Sequence, residues 1–122
     1  MATIAVYMNP VLITEYEPQL TNVKVWDYKT PALVAPGNGN AVIIPPGSQD
    51  IQVALIPTAG SGKVQLTLDP YEDVIADPDS SNWKDWDSGV VASLTQDSAK
   101  GPSAIRQVNV SGSTVMTVIV HR

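Results

Sequence analysis

The sequence predicts an all-β protein, a single-domain antiparallel sandwich or jelly-roll-like barrel of about 8–10 short strands. Val and Ile supply 25 of the 122 residues, and β-branched side chains fit a pleated, half-buried surface. Ten prolines and eight glycines cut the apolar runs into short segments, as turns between strands do. No helical periodicity extends beyond about two turns, which argues against alternating strands and helices.

Apolar, β-prone segments between these breaks are the predicted strands. In chain order they are 2–8, 11–16, 22–29, 41–44, 51–56, 63–68, 90–94, 103–110 and 114–121. Alternating apolar residues on both sides of the Gly-rich link 59–62 predict a β-hairpin there, and the last two strands are expected to join at 111–113. Residues 71–76 fit a helical turn or a short strand, and 96–102 reads as a polar loop.

The length of the chain fits one domain, residues 1–122. Residues 1–35 are apolar and broken by Pro, so we treat them as a candidate extended arm or edge-strand segment that pairs with a neighbouring molecule. Trp26 would be its anchor. The alternative is that this segment pairs within its own sandwich.

Charge and composition exclude several classes of function. The net charge is −5 and the seven Lys and Arg residues are scattered singly, whereas nucleic-acid binding needs clustered bases. The N-terminus lacks the basic start and apolar run of a signal peptide, and no apolar stretch approaches the ~18 residues of a membrane-spanning helix. We therefore expect neither a nucleic-acid nor a membrane partner, and synthesis in the host cytoplasm without a signal peptide.

The segment 69–87 holds seven of the twelve acidic residues, together with Trp83 and Trp86. Asp85 and Asp87 are two residues apart, so on a strand they would point to the same face. Paired carboxylates can hydrolyse glycosides, and two tryptophans beside them could stack on a sugar. The alternative is an acidic surface loop whose tryptophans cover the edge of the core.

Three of these carboxylates also form a weak calcium candidate. Asp77 and Asp79 occupy early ligand positions of a calcium loop, and Asp85 stands where a ninth-position ligand would. Asn82 replaces the glycine of the sharp turn and Ser88 replaces the bidentate Glu, which excludes an EF-hand. A looser oxygen-rich site at Asp77, Asp79 and Asp85 remains open.

The chain has no Cys and a single His next to its last residue. It therefore offers no transition-metal ligand set and no protease-type triad. We expect no catalytic residues, no cofactor and no bound metal apart from the weak calcium candidate.

With no Phe in the chain, three Trp and four Tyr supply all of its aromatic bulk. Both residue types are common in cores and at interfaces, because one end is apolar and the other can form hydrogen bonds. Core anchors and subunit-contact anchors are equal alternatives for Trp26, Trp83 and Trp86.

About 40 residues of the C-terminal half carry a family resemblance. Trp83-Lys84-Asp85-Trp86, Gly-Pro-Ser-Ala-Ile-Arg at 101–106 and Val-Ser-Gly-Ser-Thr-Val at 110–115 resemble small, Cys-free β-sandwich structural proteins from the head and neck modules of tailed bacteriophages. The resemblance implies a capsid decoration protein in the virion, bound to the major capsid protein or another virion protein. It also implies a homo-oligomer, for which we favour a trimer.

Three hypotheses for function follow. The first is a structural virion protein that stabilises the outer surface of a phage head through many modest contacts on a repeated lattice. The second is a carbohydrate-binding module on a phage tail or particle surface, in which Trp83 and Trp86 stack on sugars while Asp85 and Asp87 bind hydroxyls. The third is a small enzyme, for which the sequence offers no recognisable motif.

Overall fold

The computed structural model describes residues 4–11, 25–45 and 50–121. Within these residues the chain is mostly β-strand, which confirms the predicted all-β class. The strands are β1 (Ala5–Tyr7), β2 (Asn9–Val11), β3 (Val25–Lys29), β4 (Gly37–Asn38), β5 (Ala41–Ile43), β6 (Asp50–Thr67), β7 (Lys84–Asp85), β8 (Thr95–Ala99) and β9 (Ala104–His121). One helix, α1 (Tyr71–Ala76), and a 3₁₀ turn (Pro78–Ser80) lie between β6 and β7.

The fold is organised around the two long paired strands β6 and β9. Each is 18 residues long, and they pair antiparallel from Asp50 opposite His121 to Thr67 opposite Ala104. The register shifts twice in the middle, between Pro57 and Ala59 and between Ser61 and Gly62. Because β-bulges bend a strand and increase its local twist, these shifts mark where the two-stranded ribbon changes direction.

The ribbon has two halves, and each is widened by further strands. In half A, residues 50–57 and 114–121 are flanked by β8 on one side and by β3 and then β2 on the other. In half B, residues 62–67 and 104–109 are flanked by β7 on one side and by β4, β5 and then β1 on the other. β1 and β5 are parallel, so the predicted antiparallel pairing does not hold at that edge.

One hydrophobic cluster joins the two halves. It contains Val53 and Val118 from half A together with Val64 and Ile105 from half B, all of them buried. Side chains from the two halves can share one core only if the halves face each other. The fold is therefore sandwich-like, and the two halves of one bent ribbon form its two layers.

The predicted hairpin between 51–56 and 63–68 is wrong, and so is the turn predicted between the last two strands. The chain passes straight through both Gly-containing links, as β6 and as β9. Gly60 and Gly112 lie opposite each other with φ of 82° and 74°, so these glycines bend the ribbon without reversing either strand. Each apolar run then pairs with the distant strand across the ribbon, and the same alternating pattern is buried.

Three smaller predictions also change. The predicted polar loop 96–102 overlaps β8, because Ile51 to Leu55 offers it a free edge. Residues 90–94 form only an isolated bridge, Val91 to Gly62, instead of a strand. The helical option for residues 71–76 is confirmed, and the helix ends before Asp77.

The described parts of residues 1–35 pair within this chain. β1 lies on β5, β3 lies on β9, and Leu33 forms an isolated bridge with Thr114. β1 and β2 are the two ends of the main strand order. Most of the predicted strand 11–16 lies outside the described residues, as does the rest of 12–24.

Helix α1 covers the outer face of half B. Its Val74 is fully buried against Ala41, Ile43 and Ala104, and Tyr71 packs at the border of this second cluster. Neither α1 nor the 3₁₀ turn in the described part of the chain has the length and apolar character to cross a bilayer.

A buried polar network lies inside the sandwich near the bend. The Gln107 amide donates to Thr30 Oγ1 at 2.7 Å and to the carbonyl of Pro31 at 3.2 Å, and its oxygen accepts from Thr114 Oγ1 at 2.9 Å. Thr30 Oγ1 in turn accepts the backbone N–H of Met116 at 2.9 Å. Gln107 forms hydrogen bonds within the protein in place of those it would form with water, so the network can stay buried. These hydrogen bonds hold residues 30 and 31 against β9.

The bend predicts a large difference between two glycine substitutions. A Cβ at Gly112 would lie 1.9 Å from the carbonyl oxygen of Ala59, whereas a Cβ at Gly89 would meet nothing within 4 Å. Both glycines have positive φ, so both Gly→Ala changes carry a strain of about 1–2 kcal/mol. We expect Gly112→Ala to cost at least about 2 kcal/mol more than Gly89→Ala in denaturant unfolding. Equal losses would show that the close approach of the two strands is not a constraint.

The buried network predicts a second pair of outcomes. Gln107→Ala leaves the hydroxyl of Thr114 without an acceptor and opens a cavity, so we expect a loss of about 3 kcal/mol in the free energy of unfolding. Gln96→Ala is the matched control, because Gln96 is an exposed glutamine on β8, and it should cost less than about 0.5 kcal/mol. Similar losses for the two variants would contradict a structural role for the network.

Candidate interaction surface

Trp83 is held in place at the border of the outer cluster. Its Nε1 donates to the carbonyl of Pro78 at 2.8 Å, and the guanidinium of Arg106 lies 4.3 Å from the centroid of its ring. The ring packs against the cluster that contains Val74 and Ala104. With its ring packed and its donor satisfied, Trp83 links the 3₁₀ turn to β9.

Trp86 belongs to the main core. It is only 6% exposed, its Nε1 donates to the carbonyl of Gly89 at 2.6 Å, and its backbone N–H donates to Val64 at 2.8 Å. Sugar stacking needs an open aromatic face. Trp83 and Trp86 therefore do not form the open pair that the carbohydrate hypothesis requires.

Asp85 lies on β7 and accepts two hydrogen bonds from β6. Its carboxylate oxygens are 3.1 Å from Lys63 Nζ and 2.9 Å from Gln65 Nε2. The hydrogen bond from Gln65 lowers the pKa of Asp85 below its ordinary value of 3.8; partial burial opposes this, and the hydrogen bond and charge of Lys63 add to it. The exposed Asp85 carboxylate acts as a cross-strand ion-pair partner.

Asp87 does not share a strand with Asp85. Strand β7 ends at Asp85, and Asp87 lies exposed in the turn that follows Trp86. The expectation that both carboxylates point to one face of a strand is therefore wrong. The reason is that the chain turns directly after Trp86, where the N–H of Gly89 donates to the carbonyl of Trp86 at 3.2 Å.

Arg106 connects the neighbouring polar groups on the outer face of half B. Its Nε donates to Gln65 Oε1 at 2.9 Å, and its Nη1 lies 3.7 Å from a carboxylate oxygen of Asp79. Burial lowers the pKa of Arg106 and the charge of Asp79 opposes that shift. Sequence analysis missed this role, although the lone Arg in an alternating strand was a signal for a buried partner.

The calcium candidate is not assembled. Asp79 lies beside Arg106 and Asp85 beside Lys63, while the backbone carbonyl of Asp77 accepts from a serine hydroxyl of the 3₁₀ turn. Among residues 4–11, 25–45 and 50–121, no group of three His, Cys, Asp or Glu side chains could hold a metal ion. The spacing of the carboxylates matched a calcium loop, but in the structure two of them lie beside different basic side chains, Asp79 beside Arg106 of β9 and Asp85 beside Lys63 of β6.

An open apolar groove lies where β1, β3, β5 and α1 meet. Its volume is about 360 Å³. We call it the Trp26 groove, and it is lined by Tyr7, Met8, Trp26, Ile43, Pro45, Tyr71 and Ile75. Aromatic side chains and Met are enriched at protein interfaces, so this lining is typical of a surface that contacts another protein.

Two features mark the Trp26 groove as incomplete. Tyr7 is 63% exposed and Ile75 is 43% exposed, so large apolar side chains face solvent at its rim. Trp26 Nε1 is buried but has no hydrogen-bond partner among the described residues, and an unsatisfied buried donor costs about 1–3 kcal/mol. The exposed apolar rim is therefore the feature of the groove that a bound partner would cover.

Of the residues that line this groove, the sequence singled out only Trp26, as the candidate anchor of an arm formed by residues 1–35. Tyr7, Tyr71 and Ile75 were not singled out. Tyr71 and Ile75 are four residues apart, so they share one face of α1. Their pairing could have been recognised only by choosing the helical option for 71–76, and Tyr7 reaches the groove only through the pairing of β1 with β5.

A larger groove of about 450 Å³ runs along residues 30–35 and 38–40. Its buried polar side chains are Thr30 and Gln107, and they are already hydrogen-bonded to each other and to Pro31, Thr114 and Met116. This second groove therefore has less to offer a ligand than the Trp26 groove.

The Asp85 ion pair predicts a pH dependence of stability. Since the pKa of Asp85 is lower in the folded protein than its ordinary 3.8, its contribution is present above about pH 3.8 and is lost as the pH falls through the lower folded value. We expect Asp85→Asn to cost about 0.5 kcal/mol at pH 6 and less at pH 3, measured by urea unfolding. Asp87→Asn is the control, and an equal pH trend in both variants would contradict the assignment.

Comparisons with known proteins give little to add to this geometry. No family model and no curated protein matches the chain. Among solved structures, one from a study of the mechanism of oxalate oxidase is similar, with a TM-score of 0.44 and 14% sequence identity over 93% of this chain and 49% of that chain. This chain spans about half the length of that protein, and similarity at this level supports no inference about fold or function.

Proposed function

We propose that this chain is a structural virion protein, a decoration subunit that binds the outer surface of a tailed-phage head through protein–protein contacts and as an oligomer, with a trimer favoured. The observation that carries the docking role is the open Trp26 groove with its exposed apolar rim of Tyr7 and Ile75. The virion assignment rests on the resemblance of residues 83–86, 101–106 and 110–115 to small phage head proteins.

The polar side chains of the acidic turn support a structural role. Asp85 bonds to Lys63 and Gln65, and Asp79 lies beside Arg106. Each interaction joins neighbouring strands or holds the 3₁₀ turn on the sheet. Charged groups committed to such pairs stabilise the fold, whereas the apolar Trp26 groove is left open to a partner.

The carbohydrate alternative finds less support. Trp86 is buried, so its ring cannot stack on a sugar. One face of the Trp83 ring is already covered by the guanidinium of Arg106. We therefore develop only the structural proposal.

On a repeated capsid lattice, weak contacts at each subunit would be sufficient to hold the decoration protein on the shell. A groove of this size holds one or two apolar side chains, which contribute about 1.5–3 kcal/mol each when fully buried. A decoration subunit on a repeated lattice, linked to its neighbours, gains avidity because the second contact becomes intramolecular. Reinforcement of a shell follows from many such contacts.

Co-sedimentation tests the proposal. We expect the purified protein to sediment with heads of the phage that carries its gene, after those heads have been stripped of it. Ile75→Ser should reduce the bound fraction at least about tenfold, because it removes apolar surface from the rim of the groove. Val110→Ser is the matched control, since Val110 is also 43% exposed but lies on β9 outside the groove.

Two results would overturn the proposal. The first is a wild-type protein that stays in the supernatant with stripped heads under conditions where the protein is folded. The second is equal binding by the Ile75→Ser and Val110→Ser variants, which would separate head binding from the Trp26 groove.

A further inference from the structure

We propose that Asp97 closes the free edge of half A, so that β8 does not pair with a strand of a second copy of this chain. The inference goes beyond the proposed function and does not depend on it, because it concerns β8, which lines no part of the Trp26 groove. It is carried by the direction of the backbone groups of β8 and by the hydrogen bonds of one carboxylate.

Strand β8 has the longest free edge in the described part of the chain. It is five residues long and pairs with β6 alone. The other described strands with a single neighbour, β1, β2, β4 and β7, have two or three residues each. A free edge presents backbone N–H and C=O groups with which another chain can pair, so β8 is the edge at which such pairing has to be prevented.

Hydrogen bonds on the neighbouring strands show which groups of β8 point outward. The N–H of Thr30 donates to the carbonyl of Met116 at 2.8 Å, and the N–H of Met116 donates to Thr30 Oγ1 at 2.9 Å. Both backbone groups of Met116 therefore point away from Leu55, its partner on β6. Because bonded and non-bonded pairs alternate along antiparallel strands, the groups of Leu55 face β8, whereas those of Gln96 and Ser98 face away from β6.

Asp97 lies between these two residues, with its side chain on the core side of the sheet. It is opposite Val53, which is buried in the main core, and residues directly opposite each other share a face. The carboxylate is half-buried and forms no ion pair with a described basic residue. An inward-facing charge on an edge strand opposes strand addition, because a strand laid beside it would bury the unpaired charge.

Two hydrogen bonds hold the Asp97 carboxylate at the edge. Its Oδ1 accepts the backbone N–H of Ser98 at 2.8 Å, and its Oδ2 accepts the hydroxyl of Ser88 at 3.0 Å. The N–H of Ser98 is one of the outward donors of β8. Asp97 therefore occupies a donor that an incoming strand would need, while Ser88 fixes the carboxylate in that position.

A closed β8 edge restricts how copies of this chain can meet. Pairing of β8 with β8 of a second copy would join two half-A sheets into one, and free edges of this kind are templates for aggregation. With this edge closed, an oligomer forms through other surfaces of the chain.

Removal of the carboxylate tests the inference in solution. We expect Asp97→Ala to self-associate at a concentration at least about tenfold lower than the wild-type chain, as measured by sedimentation velocity, with added intermolecular β-sheet in the infrared spectrum. Asp27→Ala is the matched control and should behave as the wild-type chain does. It removes the same charge from an exposed position on β3, which has a strand on each side.

A second substitution locates the association at β8. Gln96→Pro removes an outward N–H that the pairing with β6 does not use, so Asp97→Ala with Gln96→Pro should return to the behaviour of the wild-type chain. Asp97→Ala with Gln96→Ala keeps this N–H and should associate as Asp97→Ala does. A variant that associates because it is misfolded would not be restored by an added proline.

The inference is overturned by an Asp97→Ala chain that associates no more than Asp27→Ala does. It is also overturned if Gln96→Pro leaves the association of Asp97→Ala unchanged. Neither result bears on the proposed function, because head binding is tested separately with variants of the Trp26 groove.

Discussion

The continuous hydrogen-bonded ribbon of β6 and β9, bent at Gly60 and Gly112, is the constraint on which the rest of the structure depends. A ribbon of two 18-residue strands is far longer than one layer of a small sandwich needs. Bending it places its two halves face to face, so one ribbon supplies both layers. The bend is narrow because the backbone of Ala59 approaches Gly112 too closely for a Cβ, and this makes glycine a packing requirement there.

Interactions on the two faces of half B have different consequences. On the inner face, the Gln107 network satisfies buried polar groups and attaches the segment after β3 to the ribbon. On the outer face, Arg106 joins Gln65, Asp79 and the Trp83 ring, which holds the 3₁₀ turn on the sheet. With the turn held in place, α1 packs Val74 inward and presents Tyr71 and Ile75 to the Trp26 groove. Packing far from the groove therefore shapes it.

The candidate surface follows from what the fold leaves uncovered. The acidic segment 69–87, which carried the candidate sugar and calcium ligands in the sequence, is held on the strands by ion pairs, by the buried Trp86 and by the half-buried Trp83. The groove at β1, β3, β5 and α1 combines residues from four separate parts of the chain, and its apolar rim is exposed. The proposed contact role therefore rests on the apolar shape of this groove.

The sequence by itself determined the all-β fold class, left residues 71–76 open between a helical turn and a short strand, and singled out Trp26 as a candidate anchor. Those features depend on local preference: β-branched runs, breaks at Pro and Gly, and bulky aromatic residues with no Phe beside them. Only the tertiary structure decided that 59–62 and 111–113 are bends in two long strands, because a Gly-rich link between alternating segments is locally the same in a hairpin and in a bulged ribbon. Which strand pairs with which depends on a partner about 50 residues away, and that is also why Tyr7, Tyr71 and Arg106 could be placed only once the sheet was assembled.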